Sequence, residues 1–494
     1  MIENIEIKPK VEIEDRETLA LAYTPGVAKS CLEIKDKYDR VFELTNRSNS
    51  VAVVSYDYLK SLKRAVYLKR TFAIDAYPFE IKLCSQKELD FVCENILPNF
   101  MGVDTVLLED SGEIEALCDI PTQSKNCLLL DNTPENVREL EAVKLREMFG
   151  GVIETGLYIQ NGDIPIKPVA IVSDGSAVLG LGNIGAEAGI PVMEGKSVLF
   201  KNLGNVDAIS LCLKTQDKNE IIKIVQLLEN SFSGVNLEDI CAPKCFEIER
   251  ELVETTSIPI FHDDQHGTAI VVTAGLINAL RVVNKELEAI KVVISGAGAA
   301  GQAIAKLLLR AGVRDIILTN SRGIVWRGNP ENNTELEAVA QLTNAQMLQG
   351  GLDTAIEGAD VFVGVSTAGI LKPEMVAKMA KDAVVFALAN PTPEILPDEA
   401  LSAGARIVAT GRSDFNNQIN NSLAFPGLFR GILDAKVQKI TDEIKLEAAF
   451  AIAEMVNGAE LDENYIIPDA LDIRVAKNIS ACIIEFVRNS NIEH

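Results

Sequence analysis

Histidine is nearly absent from this chain of 494 residues: there are three, His262, His266 and His494. A histidine-rich metal site is thereby excluded, and any metal chemistry falls to carboxylates. Cations are also scarce, since 47 Lys and Arg against 71 Asp and Glu leave a formal charge of -24. A surface of that sign repels phosphate backbones. Neither a basic run nor an interleaving of basic with aromatic residues offsets it, which argues against nucleic acid as a partner. Anionic small molecules would need a local cationic or metal site. The nine cysteines, scattered from Cys31 to Cys482, contain no C-x-x-C pair. They read as buried free thiols of a reducing cytoplasm rather than as a zinc or dithiol site. No uninterrupted apolar run reaches about 18 residues, and residues 1–6 lack a basic region followed by an apolar stretch, so neither a membrane span nor a signal peptide is expected.

What the chain does have is apolar material, 47% of its residues, enough at this length to build cores for two to four domains. Val- and Ile-rich runs alternate with longer helical patterns, the signature of parallel sheets covered by helices, and the class is α/β. The clearest unit runs from Lys291-Val292-Val293-Ile294-Ser295 through Gly296-Ala297-Gly298-Ala299-Ala300-Gly301 into Gln302-Ala303-Ile304-Ala305, followed by Asp315-Ile316-Ile317-Leu318-Thr319. This is strand, glycine turn, helix, strand. Residues 266–435 are expected to form a doubly wound Rossmann-type dinucleotide-binding domain, with a mostly helical segment at 436–494 and a substrate-side αβ domain in 1–265.

Within those first 265 residues the sequence echoes itself. Val51-Ala52-Val53-Val54-Ser55 returns as Val169-Ala170-Ile171-Val172-Ser173. At a constant offset of 132, Lys69, Asp75, Lys82, Glu88, Phe100 and Gly102 meet Lys201, Asp207, Lys214, Glu220, Phe232 and Gly234. After a short gap, Leu108-Glu109-Asp110 faces Leu237-Glu238-Asp239. Residues 56–168 read as an inserted, diverged repeat, against the alternative of chance similarity between two αβ units. Lacking the glycine-rich segment of the second copy, the first is expected to be chemically silent.

In Gly296-x-Gly298-x-x-Gly301 the glycines permit a tight turn, an approach of backbone to pyrophosphate and close helix packing. A second run, Gly180-Leu181-Gly182-Asn183-Ile184-Gly185, fits the same pattern. There Gly189 and Pro191 are expected to stop any helix after a few residues, leaving a substrate-side loop. The acid that would grip the 2′-hydroxyl of NAD is replaced by Asn320, followed by Ser321 and Arg322. Arg322 either pairs with the 2′-phosphate of NADP or is a solvated turn residue. Carboxylates cluster at Glu238-Asp239 and Asp263-Asp264, and oxygen-only ligands suit Mg²⁺ or Mn²⁺.

Tyr23-Thr24-Pro25-Gly26-Val27-Ala28, Gly180–Gly185, Gly189-Ile190-Pro191-Val192-Met193-Glu194-Gly195-Lys196, Asn236-Leu237-Glu238-Asp239 and His262-Asp263-Asp264-Gln265-His266-Gly267-Thr268 resemble the short bacterial malic enzymes. The glycine turn at 296–301, Asn390-Pro391-Thr392 and Asn420-Asn421-Ser422 continue the resemblance, which covers 18–55 and about 169–435. Residues 56–168 depart from that pattern.

The resemblance implies oxidative decarboxylation of malate to pyruvate and CO₂ with reduction of NAD or NADP. It makes Lys196 the base for the 2-hydroxyl proton and Tyr23 the acid that protonates C3. It makes Glu238, Asp239 and Asp264 the ligands of Mg²⁺ or Mn²⁺, which as a Lewis acid stabilises the enolate. Asp263 would hold Lys196 or the metal's surroundings. Gly296, Gly298, Gly301, Asn320, Arg322, Asn390 and Asn421 would contact coenzyme. Long-form relatives carry an arginine where this chain has Ala177, which cannot clamp a carboxylate. Malolactic chemistry with lactate released, and a catalytically silent nucleotide-binding protein, are the alternatives. A cytoplasmic homo-oligomer acting on a small molecule is expected.

Overall fold

A computed structural model of the chain describes residues 2–9, 26–72, 74–82, 85–105, 128–130, 155–162, 167–456 and 458–490, with positions 13, 15 and 18. The chain divides into two compact units. One comprises residues 1–240 with 247–260, the other 241–246 with 261–494. Both are α/β.

The first unit opens with β1 (Ile2–Pro9) and α1 (Ala28–Asp36). There follow β2 (Ser50–Ser55), α2 (Tyr58–Phe72), β3 (Asp75–Glu80), α3 (Gln86–Ile96), β4 (Gly102–Thr105) and β5 (Leu128–Leu130). These strands make a parallel sheet in the order β3-β2-β4-β5. Val51, Ala52, Val53 and Val54 are all buried in it, as strands covered on both faces require. Ser85 caps α3 reciprocally with Glu88, satisfying two donors at the helix start. Next, β6 (Thr155–Gly162) pairs antiparallel with β1.

A second parallel arrangement then repeats the theme with β7 (Val169–Ser173), α4 (Ala186–Gly204), β8 (Ala208–Cys212), α5 (Lys218–Leu228), β9 (Gly234–Leu237), α6 (Lys244–Thr255) and β10 (Ile260–His262). Its order is β10-β9-β7-β8. The Asp217 side chain caps α5 by accepting from Asn219 and Glu220 N–H.

One expectation fails here. Gly189 and Pro191 do not stop the helix: α4 runs 19 residues with Pro191 inside it. The proline sits near the start, where its missing N–H deprives only the early carbonyl of Glu187. The long buried stretch beyond it, from Val192 to Phe200, outweighs a cost of about 3 kcal/mol.

In the second unit α7 (Asp263–Val283) is a central helix. By length and composition it would suit a membrane, yet 67% of its apolar window is buried inside the protein. Around it lie β11 (Lys291–Ser295), α8 (Ala299–Ala311), β12 (Asp315–Asn320), β13 (Gly323–Ile324), β14 (Val361–Gly364), β15 (Ala383–Ala387) and β16 (Ala405–Thr410). Among the described residues these strands form one sheet, β13-β12-β11-β14-β15-β16, parallel except for β13. The chain leaves β11 toward β12 and later returns on the other side as β14, so the order reverses at β11, where open sheets place ligands. The helices α9 (Phe425–Asp434), α10 (Asp442–Glu454) and α11 (Ile473–Ser490) complete the unit. Six cysteines among the described residues are outside any disulfide, four of them buried.

Close helix packing makes one glycine indispensable. A Cβ on Gly427 of α9 would stand 2.7 Å from both Cα and O of Ala476 in α11. Gly427→Ala should lower stability by about 1–3 kcal/mol, whereas Gly458→Ala, with nothing within 4 Å of its Cβ position, should stay within about 0.5 kcal/mol of the parent. Thermal denaturation of the two variants checks this.

Candidate active site

In the first unit the site begins with a helix so thoroughly covered that a lysine is trapped within it. Lys196, in the middle of α4, is 0% exposed. A buried ammonium costs several kcal/mol unless it finds a counter-charge. It finds Glu238: the Nζ donates to Oε2 of that carboxylate, itself buried at the carboxyl end of β9. Asn236 Nδ2 donates to the same oxygen at 3.1 Å. Residues 236 and 238 share a strand face through the two-residue period, and Glu238 N–H continues the ladder to Val172 O at 2.9 Å.

Asp239 follows in the left-handed region at φ 54. Its carbonyl accepts from Ala177 N–H at 2.8 Å, tying the end of β9 to the glycine-rich loop after β7. That loop closes on itself. Gly175 O accepts from Ile184 and Gly185 N–H at 3.0 and 3.1 Å. A Cβ on Gly175 would lie 2.2 Å from Gly185 O, so only glycine permits the closure. Glu194, two residues before Lys196, is buried and accepts from Asn46 N–H at 2.7 Å.

In the second unit Asp263 and Asp264 open α7, where the helix dipole favours acids. Asp263 is fully buried and accepts from Asn421 Nδ2 at 2.5 Å. A Cβ at Gly267 would stand 1.8 Å from Asp263 Oδ1, so Gly267 is what leaves room for that carboxylate. Asp264 is partly exposed, with Oδ2 at 3.7 Å from Nδ1 of the buried His262.

The same unit holds a cavity of about 420 Å³ lined by Gly296, Gly298, Asn320, Arg322, Ser366 and Thr367 among others. Gly296 has φ 112, and a Cβ there would meet Val365 O at 2.5 Å; a Cβ on Gly301 would lie 1.8 Å from Gly296 O. The turn thus presents backbone to the cavity, with the N-terminus of α8 behind it, the donor set a pyrophosphate requires. Asn320 Oδ1 accepts from Arg322 N–H at 2.8 Å, while the Arg322 guanidinium lies 3.5 Å from Glu331.

The structure therefore brings Lys196 to Glu238, Asp263 to Asn421, and Gly296, Gly298, Asn320 and Arg322 to one cavity, with Gly301 beneath the turn. Asn390 follows β15, beside Gly411. Tyr23 lies outside the described residues.

Sequence reasoning missed Glu394. It is fully buried against Gly364 and accepts from Ser366 N–H at 2.9 Å and Ala389 N–H at 3.0 Å. It thereby joins the loops after β14 and β15. Burial pushes its carboxyl above the usual glutamate range, against those two hydrogen bonds. Nothing local marks this residue. Asn236 was detectable, because strand periodicity alone puts it beside Glu238.

A family model described as the malic enzyme NAD-binding domain matches residues 265–488, and one described as the malic enzyme N-terminal domain matches residues 121–253. A relative from Geobacillus stearothermophilus named NAD-dependent malic enzyme is 46% identical over 440 residues, 88% of each chain. A Bacillus subtilis protein named bifunctional malic/malolactic enzyme is 53% identical over 325 residues, 66% of this chain and 79% of that one. The crystal structure of a malic enzyme from Pyrococcus horikoshii matches with a TM-score of 0.64 and 36% identity, covering 99% of this chain and 87% of that chain.

Two outcomes follow from the geometry. Gly301→Ala, which drives a methyl into the Gly296 carbonyl, should weaken dinucleotide binding at least about tenfold by titration while the chain stays folded. Glu394 titrates at a higher pH folded than unfolded, so between those two values the folded state holds more protons and stability falls as pH rises. The thermal midpoint of the parent should decline relative to that of Glu394→Gln as pH is raised through that window, a slope that melting curves at several pH values will read.

Proposed function

The chain belongs to the malic enzyme family, and from that membership we propose how its residues divide the work. The enzyme oxidises malate at C2 with reduction of NAD or NADP and decarboxylates the product to pyruvate and CO₂. The observation that carries the assignment of residues is the Lys196–Glu238 pair, buried at the carboxyl end of a parallel strand where α/β enzymes place their chemistry.

As the neutral amine, the form its burial favours once Glu238 turns its charge to a bound cation, Lys196 takes the proton from the 2-hydroxyl of malate. Its burial keeps bulk water from competing for that proton. Asn236 holds the Glu238 carboxylate in place, which in turn fixes the lysine. Tyr23 returns a proton to C3 after CO₂ leaves. Asp263, held by Asn421 and given room by Gly267, keeps the start of α7 in order beside Asp264.

Glu238, Asp239 and Asp264 are the residues we assign to a divalent cation. Their oxygen-only donor set, two of the three buried, fits Mg²⁺ or Mn²⁺. When bound, the cation supplies Lewis-acid stabilisation of negative charge on the substrate's 2-oxygen. The turn at Gly296, Gly298 and Gly301 holds the dinucleotide, with Asn320 and Arg322 at its adenosine end and Asn390 and Asn421 toward its nicotinamide. The nicotinamide supplies the hydride acceptor. The six described cysteines, all outside disulfides, fit a reducing compartment, and we place the enzyme in the cytoplasm as a homo-oligomer.

Assays of malate with NAD and NADP in turn, with and without Mn²⁺, should yield reduced coenzyme and pyruvate in equal amounts, only with the cation present. Lactate formed without net coenzyme reduction would assign malolactic chemistry instead. Lys196→Ala should lower turnover by at least about 100-fold and leave coenzyme binding unchanged. An active variant would remove Lys196 from its role.

A further inference from the structure

The two parallel arrangements of the first unit correspond residue by residue. At an offset of 132, α3 (Gln86–Ile96) maps onto α5 (Lys218–Leu228) and β4 (Gly102–Thr105) onto β9 (Gly234–Leu237), end for end. The single-turn helices Leu97–Asn99 and Glu229–Ser231 that join them coincide as well. The strand orders are β3-β2-β4-β5 and β8-β7-β9-β10. Register agrees too: Val51 lies opposite Ala76 and Gly102, and Val169 opposite Ala208 and Gly234. Even an ion pair recurs, Lys69 with Asp75 and Lys201 with Asp207. Two sheets that merely share a fold need not agree in the bounds of successive elements from α3 to β5.

The contacts between the two copies are reciprocal at the same offset. Lys82 N–H donates to Leu227 O at 2.8 Å, and its counterpart Lys214 N–H donates to Asn95 O, the counterpart of Leu227, at 3.2 Å. Glu80 N–H donates to Ser231 Oγ at 2.8 Å, and the Ser231 hydroxyl donates back to Glu80 O at 2.8 Å. In the mirror position, Cys212 N–H donates to Asn99 Oδ1 at 2.8 Å, and Asn99 Nδ2 donates back to Cys212 O at 3.0 Å. Such exchange, in which i meets j while the equivalent of j meets the equivalent of i, is what a two-fold axis imposes on the face between identical subunits.

The first copy has lost the means for chemistry. Arg64 stands where the second copy has Lys196, and Leu62 where it has Glu194. An arginine holds its proton throughout the working range and cannot serve as a base.

We propose that residues 50–105 are a partner carried within the chain. They occupy, across a pseudo-two-fold axis, the place that a second copy of the catalytic βαβ unit would take. The face formed by residues 212–215 and 227–231 is thereby filled in cis, and a tethered copy outcompetes a free chain for it through its high effective concentration. Departures from symmetry adapt the face to this use. Lys82 pairs with Glu229, whose counterpart is Leu97, and Phe79 meets Phe232 at 6.0 Å between ring centroids, where symmetry would put Leu211. Self-association of the enzyme then uses another surface.

Zero-length carbodiimide coupling of the full chain tests the proposal. Lys223 of the second copy lies 2.8 Å from Glu88 of the first, both partly exposed. The linked Lys223–Glu88 peptide should appear in the band of single-chain mass on a denaturing gel. Its confinement to the double-mass band would overturn the proposal, as would its absence where the Lys218–Glu247 pair, within one copy, is coupled. Asn99→Ala and Ser231→Ala occupy equivalent places, and each should lower the thermal midpoint by about 2–4 °C with the mass by light scattering unchanged. A fall in mass, or midpoints equal to the parent's, would also overturn it.

Discussion

Water's hold on a charged amine is the constraint around which the first unit is arranged. Placing Lys196 in the covered middle of α4 removes that hold, and only an opposite charge already in position can replace it. Glu238 is in position because β9 ends there, because Asn236 on the same strand face grips the carboxylate, and because the ladder to β7 fixes the backbone. The glycine-rich loop is fastened to the following residue through Ala177 and Asp239. A buried amine, its counter-charge and the loop fastened beside them thus share one set of backbone supports, and none could be shifted alone.

The second unit solves a different problem by leaving space. Gly296, Gly301 and Gly267 each occupy a spot where a methyl would collide with a carbonyl or a carboxylate. Two of these vacancies shape the turn at the edge of the cavity, and the third seats Asp263 beside Asn421. Glu394 then ties together the two loops on the far side of the sheet's crossing point. Rigid placement of this kind is what orienting a ring against a substrate demands.

How much of this was legible beforehand depended on the range of the interaction. The strand, turn and helix at 291–311 declared themselves through local pattern, and the α/β class through alternation of patterns. Helix α4 was misjudged because Gly189 and Pro191 are local signals, whereas the burial that overrides them is not. Gly267 looked like any residue of its motif until the carboxylate it accommodates was in view. Glu394, acting between segments that meet only in the folded sheet, left no trace in spacing at all. The repeat at an offset of 132 was visible as identities, but the crossed hydrogen bonds of Asn99 and Ser231 could not be, since reciprocity is a property of space.

The offset between the two halves of the first unit is 118 at the first strand and 132 thereafter. The whole discrepancy therefore falls between the end of β7 and the body of α4, in the glycine-rich segment and the first turn of that helix. Ahead of it and behind it, register and strand order agree. A scaffold that confines its difference in length to this joint, and otherwise exchanges side chains such as Arg64 for Lys196, keeps everything that bears weight as it was, so inheritance of shape and inheritance of activity become separable in one gene product.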